Sequence, residues 1–519
     1  MWLLLQACTG QAPDLPTLPD PPEGPSLLDV DPVVPLTRVV TLHRAHPVTV
    51  TATWQLGERT FTARAGPGTD PELTLVGFPP DATVPVEVRL SAPGLTDEVE
   101  ELLVETDPLP APFPELTVHR SDPAAMAPGD TLLGVATDGT WYGLVLDPDG
   151  QVLWLHEQPG ARIWDVHQDD SGLLRGVVFG AGGGLLTFDW RGRTIQWIAP
   201  VHGAGWHHSF AQIPGGHLAL AHEVVTFPSY PASYQDPEAE QLDVGVLVDH
   251  VVELDDDGAV VHDIDLSEIV PHDRIGYRSL VTEFDGIDWT HANSAELAPD
   301  GETLIVSLRH QDAVLALDRA TGALRWILAN PANWPPELDA LRLQPTTPDF
   351  VWPYHQHAVE PQPDGLLLLF DNGAERASPW TDDEPLGPSE RWSRVLAVRV
   401  DEAAGTVAPV WSFTIHDVQL DAGAMGDVDL LPDGNVLSVW GYVVHEDGLS
   451  LDETGRGRTL GRIVEFAPQT GAVAFDVALW SDVDEVPAGW NVYRAQRIGS
   501  LGVIPDPMTD DLTLICTKT

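Results

Sequence analysis

Along most of the chain, short runs of alternating apolar and polar residues are separated by turn formers, and no long stretch carries apolar residues at helical spacing. Between about Val33 and Thr106 the alternation runs through Arg38-Val39-Val40-Thr41-Leu42, Val48-Thr49-Val50-Thr51-Ala52-Thr53-Trp54 and Pro85-Val86-Glu87-Val88-Arg89-Leu90. Short strands at this spacing predict a small immunoglobulin-like β-sandwich over 27–110. The Pro-rich Asp107-Pro108-Leu109-Pro110-Ala111-Pro112 closes it.

From 111 to 519 a diffuse repeat takes over. An apolar residue, an Asp or similar, a few further residues and a Gly precede a strand that often carries Trp. The copies are Leu146-Asp147-Pro148-Asp149-Gly150 before Trp154, Phe188-Asp189-Trp190-Arg191-Gly192 before Trp197, Leu254-Asp255-Asp256-Asp257-Gly258, Leu317-Asp318 to Gly322 before Trp326, Val400-Asp401 to Gly405 before Trp411, and Phe466 to Gly471 before Phe475. Six strand–turn–strand units predict an all-β, six-bladed β-propeller. A second turn interleaves with the first: Pro214-Gly215-Gly216, Pro299-Asp300-Gly301, Pro363-Asp364-Gly365 and Pro432-Asp433-Gly434, with Asp169-Asp170-Ser171-Gly172 as a weaker copy. Pro presets one turn residue and Gly supplies positive φ, so each closes a tight hairpin.

The residues before this second turn carry the candidate chemistry. Trp206-His207-His208, Asp288-Trp289-Thr290-His291-Ala292-Asn293 and His355-Gln356-His357 stand there in successive repeats, with Trp164-Asp165-Val166-His167 and Gly426-Asp427 in the corresponding places of others. Equivalent positions in a propeller are related by rotation about the axis, so His208, His291 and His357 are expected to converge at one mouth of the channel. Residues equidistant from a hairpin turn face each other. Arg309 mirrors His291 about Asp300, and Asp371 mirrors His357 about Asp364, which places Asp371 or Asn372 near His357. A His beside a Trp is often structural; matched positions and a facing Arg favour a site. A His ring could hold a metal, but no tight ligand spacing accompanies it and an Arg is unfavourable beside a cation, so no metal and no cofactor is expected.

Composition sharpens this. The 79 acidic and 26 basic residues give a net charge of −53, which argues against nucleic acid and against electrostatic binding to anionic lipid. An anionic substrate would therefore need a locally positive pocket. With 519 residues, 43% of them apolar, 46 Gly and 47 Pro, the chain suits a large strand-and-turn domain with a smaller one beside it. Of its 19 histidines, His43, His46 and His119 are expected on the surface. The two cysteines, Cys8 and Cys516, cannot build a disulfide framework. Leu5-Gln6-Ala7-Cys8 is similar to a bacterial lipobox, which implies lipidation at Cys8 and a cell-envelope lipoprotein, periplasmic or at the outer membrane. The stretch from Gln11 to Ser26 follows as a flexible tether, so 1–26 is a partial signal and linker. No later segment is long and apolar enough to span a membrane as a helix. The oligomeric state is left open, a homodimer among the alternatives.

The sequence resembles the bacterial arylsulfotransferases that work without a nucleotide sulfate donor. The resemblance rests on Tyr142-Gly143-Leu144-Val145-Leu146-Asp147, His207-His208 with Pro214-Gly215-Gly216, Asp288-Trp289-Thr290-His291-Ala292-Asn293-Ser294, Ser307-Leu308-Arg309-His310-Gln311, Gln356-His357, Phe370-Asp371-Asn372-Gly373 and Gly426-Asp427-Val428-Asp429-Leu430-Leu431-Pro432-Asp433-Gly434, in that order. It implies a six-bladed propeller, and transfer of a sulfuryl group from an aryl sulfate donor to a phenolic acceptor. It also implies that His357 is the nucleophile, sulfurylated in passing, with His208, His291 and Arg309 on the sulfuryl oxygens and His207, Asn293, Asp371 and Asn372 around the substrate. The residues alone leave two alternatives, an aryl sulfate hydrolase on the same site and a non-catalytic binding or scaffold propeller. His207 and His208 are adjacent; His208 is expected to face inward. Some relatives carry a disulfide that this chain cannot form in its propeller. The segment from Val225 to Asp243 is expected to be a loop of its own kind.

Overall fold

Alternation in the sequence becomes alternation in burial. Val48–Leu56 and Thr83–Ser91 turn every second side chain inward. The computed structural model describes residues 26–501 apart from 30–32, 138, 159, 180–182, 235, 237, 284, 388–389, 416–420, 445–457, 482–485 and 487. Cys8 with its lipobox-like surroundings, the tether before Ser26, and Cys516 lie outside the described residues. The N-terminal strands form two antiparallel sheets. One holds Ser26–Asp29, Arg38–Thr41 and Glu72–Leu75; the other holds Arg59–Gly68, Val48–Leu56, Thr83–Ser91 and Glu98–Glu105. Trp54 anchors their shared core, stacked on Phe61 and Phe78 at 5.5 and 5.0 Å. That core runs on into Trp141, Trp154 and Trp190 of the sheets that follow.

The remainder is all-β and propeller-like. Among the described residues six sheets, antiparallel but for short parallel pairings of Gly286–Asp288 and Gln344–Pro345, succeed one another, with first strands Asn491–Ile498, Arg162–Gln168, Gly205–Ile213, Ala292–Leu297, His357–Pro361 and Asp427–Leu430. Each first strand lies against the next, and that of the sixth sheet lies against that of the first. Strands far apart in sequence complete two of these sheets. The late strand Asn491–Ile498 joins the sheet of Asp130–Thr137, and the early strand Glu115–Ser121 edges the sheet of Ala472–Trp480. The two turn motifs have distinct places. Pro-Asp-Gly and its relatives join first to second strands, and the Asp-x-x-Gly copies join third to fourth. Asp147 illustrates why Asp recurs there: its carboxylate accepts from the amides of Asp149 and Gln151 at 2.9 and 2.8 Å, while Gly150 takes a φ of 80°. The segment from Val225 to Asp243 is largely a continuation of two strands: Gly216–Pro231 and Gln241–Asp255 remain paired through Pro231 and Gln241. The alternation Val224-Val225-Thr226-Phe227 carried that signal; the Pro and Tyr residues masked it.

Five of the six first strands carry a bulge: at Trp164/His167, His207/Phe210, Ala292/Ser294, His357/Glu360 and Val492/Ala495. A bulge frees a backbone N–H from its own sheet and re-aims side chains. Side chains of neighbouring sheets take up amides on these strands. Gln496 Oε1 accepts from Gln168 N (2.7 Å), Asp165 Oδ2 from Phe210 N (2.7 Å), Asp249 Oδ2 from Ala292 N (2.6 Å) and Ser294 Oγ from Val359 N (3.2 Å). Glu360 Oε2 accepts from Leu430 N (2.9 Å) and Asp427 Oδ2 from Ala495 N (3.2 Å), which completes the circuit. The first strands are thus stitched to one another by side chains rather than by sheet hydrogen bonds.

Candidate active site

The bulges place the histidines. His208 sits inside the bulge of Gly205–Ile213 with a φ of 55°, and His291 precedes Ala292–Leu297 with a φ of 49°. Non-glycine residues take this conformation only where the surroundings hold it. The ring centroids of His208 and His291 come within 4.7 Å of each other. His357 opens the next first strand, which lies against Ala292–Leu297, and Asn293 beside His291 bonds the carbonyl of Gln356 beside His357. The four sequence-predicted residues therefore converge.

His357 is 2% exposed. Its Nδ1 lies 2.7 Å from Asn372 Oδ1 and 3.3 Å from the carbonyl of His355. Asn372 Nδ2 donates to the carbonyls of Ala422 and Met425, both at 2.7 Å, so its oxygen is the acceptor toward His357. The proton therefore sits on Nδ1, and Nε2 keeps its lone pair. Burial, reinforced by the Arg309 guanidinium, holds the His357 pKa well below the ordinary 6.5, so the ring is neutral.

His207 stands behind His208. Their Nδ1 atoms are 2.8 Å apart, so one donates to the other; His207 also stacks on His222 at 4.5 Å and places Nε2 3.3 Å from Asp249. His208 is thus the inward member of the pair. Burial and the neighbouring imidazoles of His291 and His207 push its pKa well down. Asp249 is anchored by Thr290 Oγ1 (2.5 Å) and Ala292 N; despite burial, its bond to His207 takes it down to about 2. His291 donates from Nδ1 to Asp288, which leaves Nε2 as its other nitrogen. Arg309 lies beside His291 as mirrored, with its amide on the His291 carbonyl at 3.1 Å. Its Nη1 donates to His310 Nε2 at 2.7 Å, and His310 Nδ1 donates to the Asp288 carbonyl at 2.8 Å. Trp289, fully buried and bonded to the Arg274 carbonyl at 2.9 Å, fixes the turn that carries Asp288, Thr290 and His291.

Two predicted residues are directed elsewhere. Asp371 Oδ1 accepts from Tyr354 N (2.9 Å), and Oδ2 takes Arg376 (3.0 Å) and Arg394 (2.7 Å). It braces its own sheet and loop. The bulge explains this: His357 pairs with Phe370, one residue short of the mirror position. Asn293 Nδ2 donates to the Gln356 carbonyl at 2.8 Å and ties the strand of His291 to that of His357. Sequence reasoning missed Tyr493, whose ring lies 5.9 Å from His208, and Arg494, 3.0 Å from Asp165. Both lie on the late strand, which no turn motif follows. Two groups here have metal-ligand composition, His207–His222–Asp249 and Asp288–His291–His310. In the second, His291 Nδ1 and both nitrogens of His310 are engaged in the hydrogen bonds just described; in the first, His222 Nε2 donates to the Ala204 carbonyl at 2.9 Å.

Comparison with known proteins agrees with the pattern of residues. The arylsulfotransferase (ASST) family model matches residues 116–494. The chain belongs to that family. Curated relatives include the arylsulfate sulfotransferase AssT of Escherichia coli, 24% identical over 324 residues and covering 52% of this chain. That of Lelliottia amnigena is 30% identical over 143 residues, covering 24% of this chain. The arylsulfotransferase-family chain spans 52% of the first relative's length and 23% of the second's. Among solved structures it is similar to a β-propeller domain from Myceliophteria thermophila, at 11% identity and a TM-score of 0.35 over 74% of this chain and 98% of that one. It is also similar to an apocarotenoid oxygenase of Synechocystis, at 10% identity and a TM-score of 0.34 over 70% of this chain and 81% of that one.

Proposed function

We propose that the protein transfers a sulfuryl group from an aryl sulfate to a phenol through a sulfohistidine at His357. The observation that carries this is the Asn372 contact, which puts the proton on Nδ1 and turns a buried, neutral Nε2 into a nucleophile. Nε2 attacks sulfur and the sulfur–oxygen bond to the aryl group breaks, releasing a phenolate that takes its proton from solvent. A phenol then attacks the same sulfur as the Nε2 lone pair of His291 takes its proton and passes it to solvent; the nitrogen–sulfur bond breaks and the electron pair goes back to His357. The sulfuryl group passes through a loose, SO3-like state, so positioning and charge stabilisation dominate, as in phosphoryl transfer. Arg309 supplies fixed positive charge to the sulfuryl oxygens, and His208 stands beside them, held by its Nδ1 contact with His207. Asn372 and His207 set tautomers, while Asn293 and Asp371 hold the strands in place.

The six sheets in circuit support a six-bladed propeller over 111–519, and the two facing N-terminal sheets support an immunoglobulin-like unit over 27–110. The lipobox-like Cys8 supports a lipid-anchored protein of the cell envelope. The test is incubation with 4-nitrophenyl sulfate, with and without phenol. Nitrophenol release that depends on phenol is expected. Release without phenol would mean hydrolysis, and no release with any phenol would leave a binding propeller.

A further inference from the structure

The third sheet carries a second histidine cluster on the face opposite the catalytic one. In Gly216–Pro231 and Gln241–Asp255, His222 faces Asp249 and both turn toward His207; the next residues, Glu223 and His250, turn the other way. There they meet Asp263 from Val260–Asp265 and His202 from the loop between Thr194–Ile198 and Gly205–Ile213.

The hydrogen bonds in this cluster orient it. Asp263 accepts from both imidazoles, through Oδ2 from His202 Nε2 at 2.9 Å and through Oδ1 from His250 Nδ1 at 2.8 Å. The two rings are thereby stacked, centroids 4.0 Å apart, and each keeps a lone pair on its other nitrogen. Both of those nitrogens turn to Glu223: His202 Nδ1 lies 3.8 Å from Oε2 and His250 Nε2 lies 3.7 Å from Oε1. These separations are too long for hydrogen bonds. His250 is 5% exposed, and its Nε2 is a buried polar atom without a hydrogen-bond partner. Zinc–nitrogen and zinc–oxygen bonds of about 2.0–2.2 Å put tetrahedral ligand atoms roughly 3.4 Å apart. A carboxylate that holds imidazoles by one nitrogen while the other nitrogens converge is also the usual outer shell of a metal site.

We propose that His202, His250 and Glu223 bind a divalent transition metal of the zinc type, with Asp263 orienting both histidines. Two imidazoles and a carboxylate suit zinc or cobalt rather than calcium or magnesium. The ion pins the loop of His202 to the third sheet. The same loop carries Ala204, whose carbonyl accepts from His222 at 2.9 Å, and His222 supports His207. The metal would therefore act on the shape of the catalytic face from behind, without touching substrate.

The experiment is a zinc titration of the chelator-stripped full-length protein, followed by calorimetry, with the melting temperature of each form recorded. One high-affinity equivalent and a raised melting temperature are expected. Glu223→Gln and His202→Ala, both at partly exposed positions, are each expected to lose that equivalent, and Asp263→Asn to weaken it by about 10- to 100-fold. Cobalt in place of zinc is expected to give the visible absorption of a tetrahedral site in the wild type only. Absence of zinc uptake, or uptake that survives both Glu223→Gln and His202→Ala, overturns the proposal. Neither result bears on sulfuryl transfer, which is read separately from nitrophenol release.

Discussion

The same first strands present imidazoles at one end and carboxylates further along. His291 precedes its strand and Glu296 lies late in it; His357 opens its strand and Glu360 follows three residues on. Beside them stand Asp165, Asp427 and Asp429, with Arg494 at 3.0 Å from Asp165, 3.9 Å from Asp427 and 4.0 Å from Glu296. Burial acts on both ends but with opposite results for protons. It pushes His208, His310 and His357 down, so the imidazoles stay neutral. It pushes Glu296 and Glu360 up to about 8 and Asp427 up to about 6, with mutual repulsion adding to the shift. In a chain of net charge −53, the carboxyl groups on these strands are masked by raised proton affinity and by Arg494, so little negative charge stands beside the imidazoles.

The sharpest contrast comes from deleting one residue at each end. His357→Ala is expected to lower kcat by about 10³-fold or more while the fold persists, as measured by nitrophenol release and circular dichroism. Asp165→Ala, which strips both Phe210 N and Arg494 of their partner, is expected to cost about 3–5 kcal/mol of stability in urea unfolding. Arg309→Met is expected to cost about 3 kcal/mol of transition-state stabilisation, on the order of a 10²-fold fall in kcat/KM. A loss confined to KM would show that Arg309 binds substrate and transition state equally.

The smallest effect is in pH, and its sign differs between the ends. A carboxyl group with a raised folded pKa binds more protons folded than unfolded, so its stability is present below about 4.5 and lost as pH rises toward 8. A histidine with a depressed folded pKa binds fewer, so its stability is present above 6.5 and lost as pH falls. Stability should pass through a maximum between these limits. Glu296→Gln with Glu360→Gln should flatten the alkaline side alone, by on the order of 1 kcal/mol per site. Flattening on the acid side instead would break the comparison.

Much of the repeat was legible because turns have strong local chemistry. Asp147 and Gly150 declare a hairpin through their own amides and φ angle. Position relative to a turn then led to His208, His291, His357 and Arg309. The bulges were not legible, since no residue type demands them, and a single extra residue is enough to exchange Asp371 for Asn372 beside His357. Asp249, His222 and Tyr493 stayed hidden because they reach the site from a third strand, a second strand and a strand late in the sequence. The mixed cluster of His202, Glu223, His250 and Asp263 is likewise scattered over a loop and three strands, with no spacing to betray it.

The central claim is that His357 Nε2 forms a bond to sulfur. The direct measurement is rapid quench of the protein with 4-nitrophenyl sulfate in the absence of acceptor, at alkaline pH to preserve a nitrogen–sulfur bond, followed by peptide mass spectrometry. One added SO3 group on the peptide containing His357, removed on addition of phenol with formation of phenyl sulfate, is the predicted result. Phenol-dependent turnover with the added group on another residue, or with none at all, contradicts it.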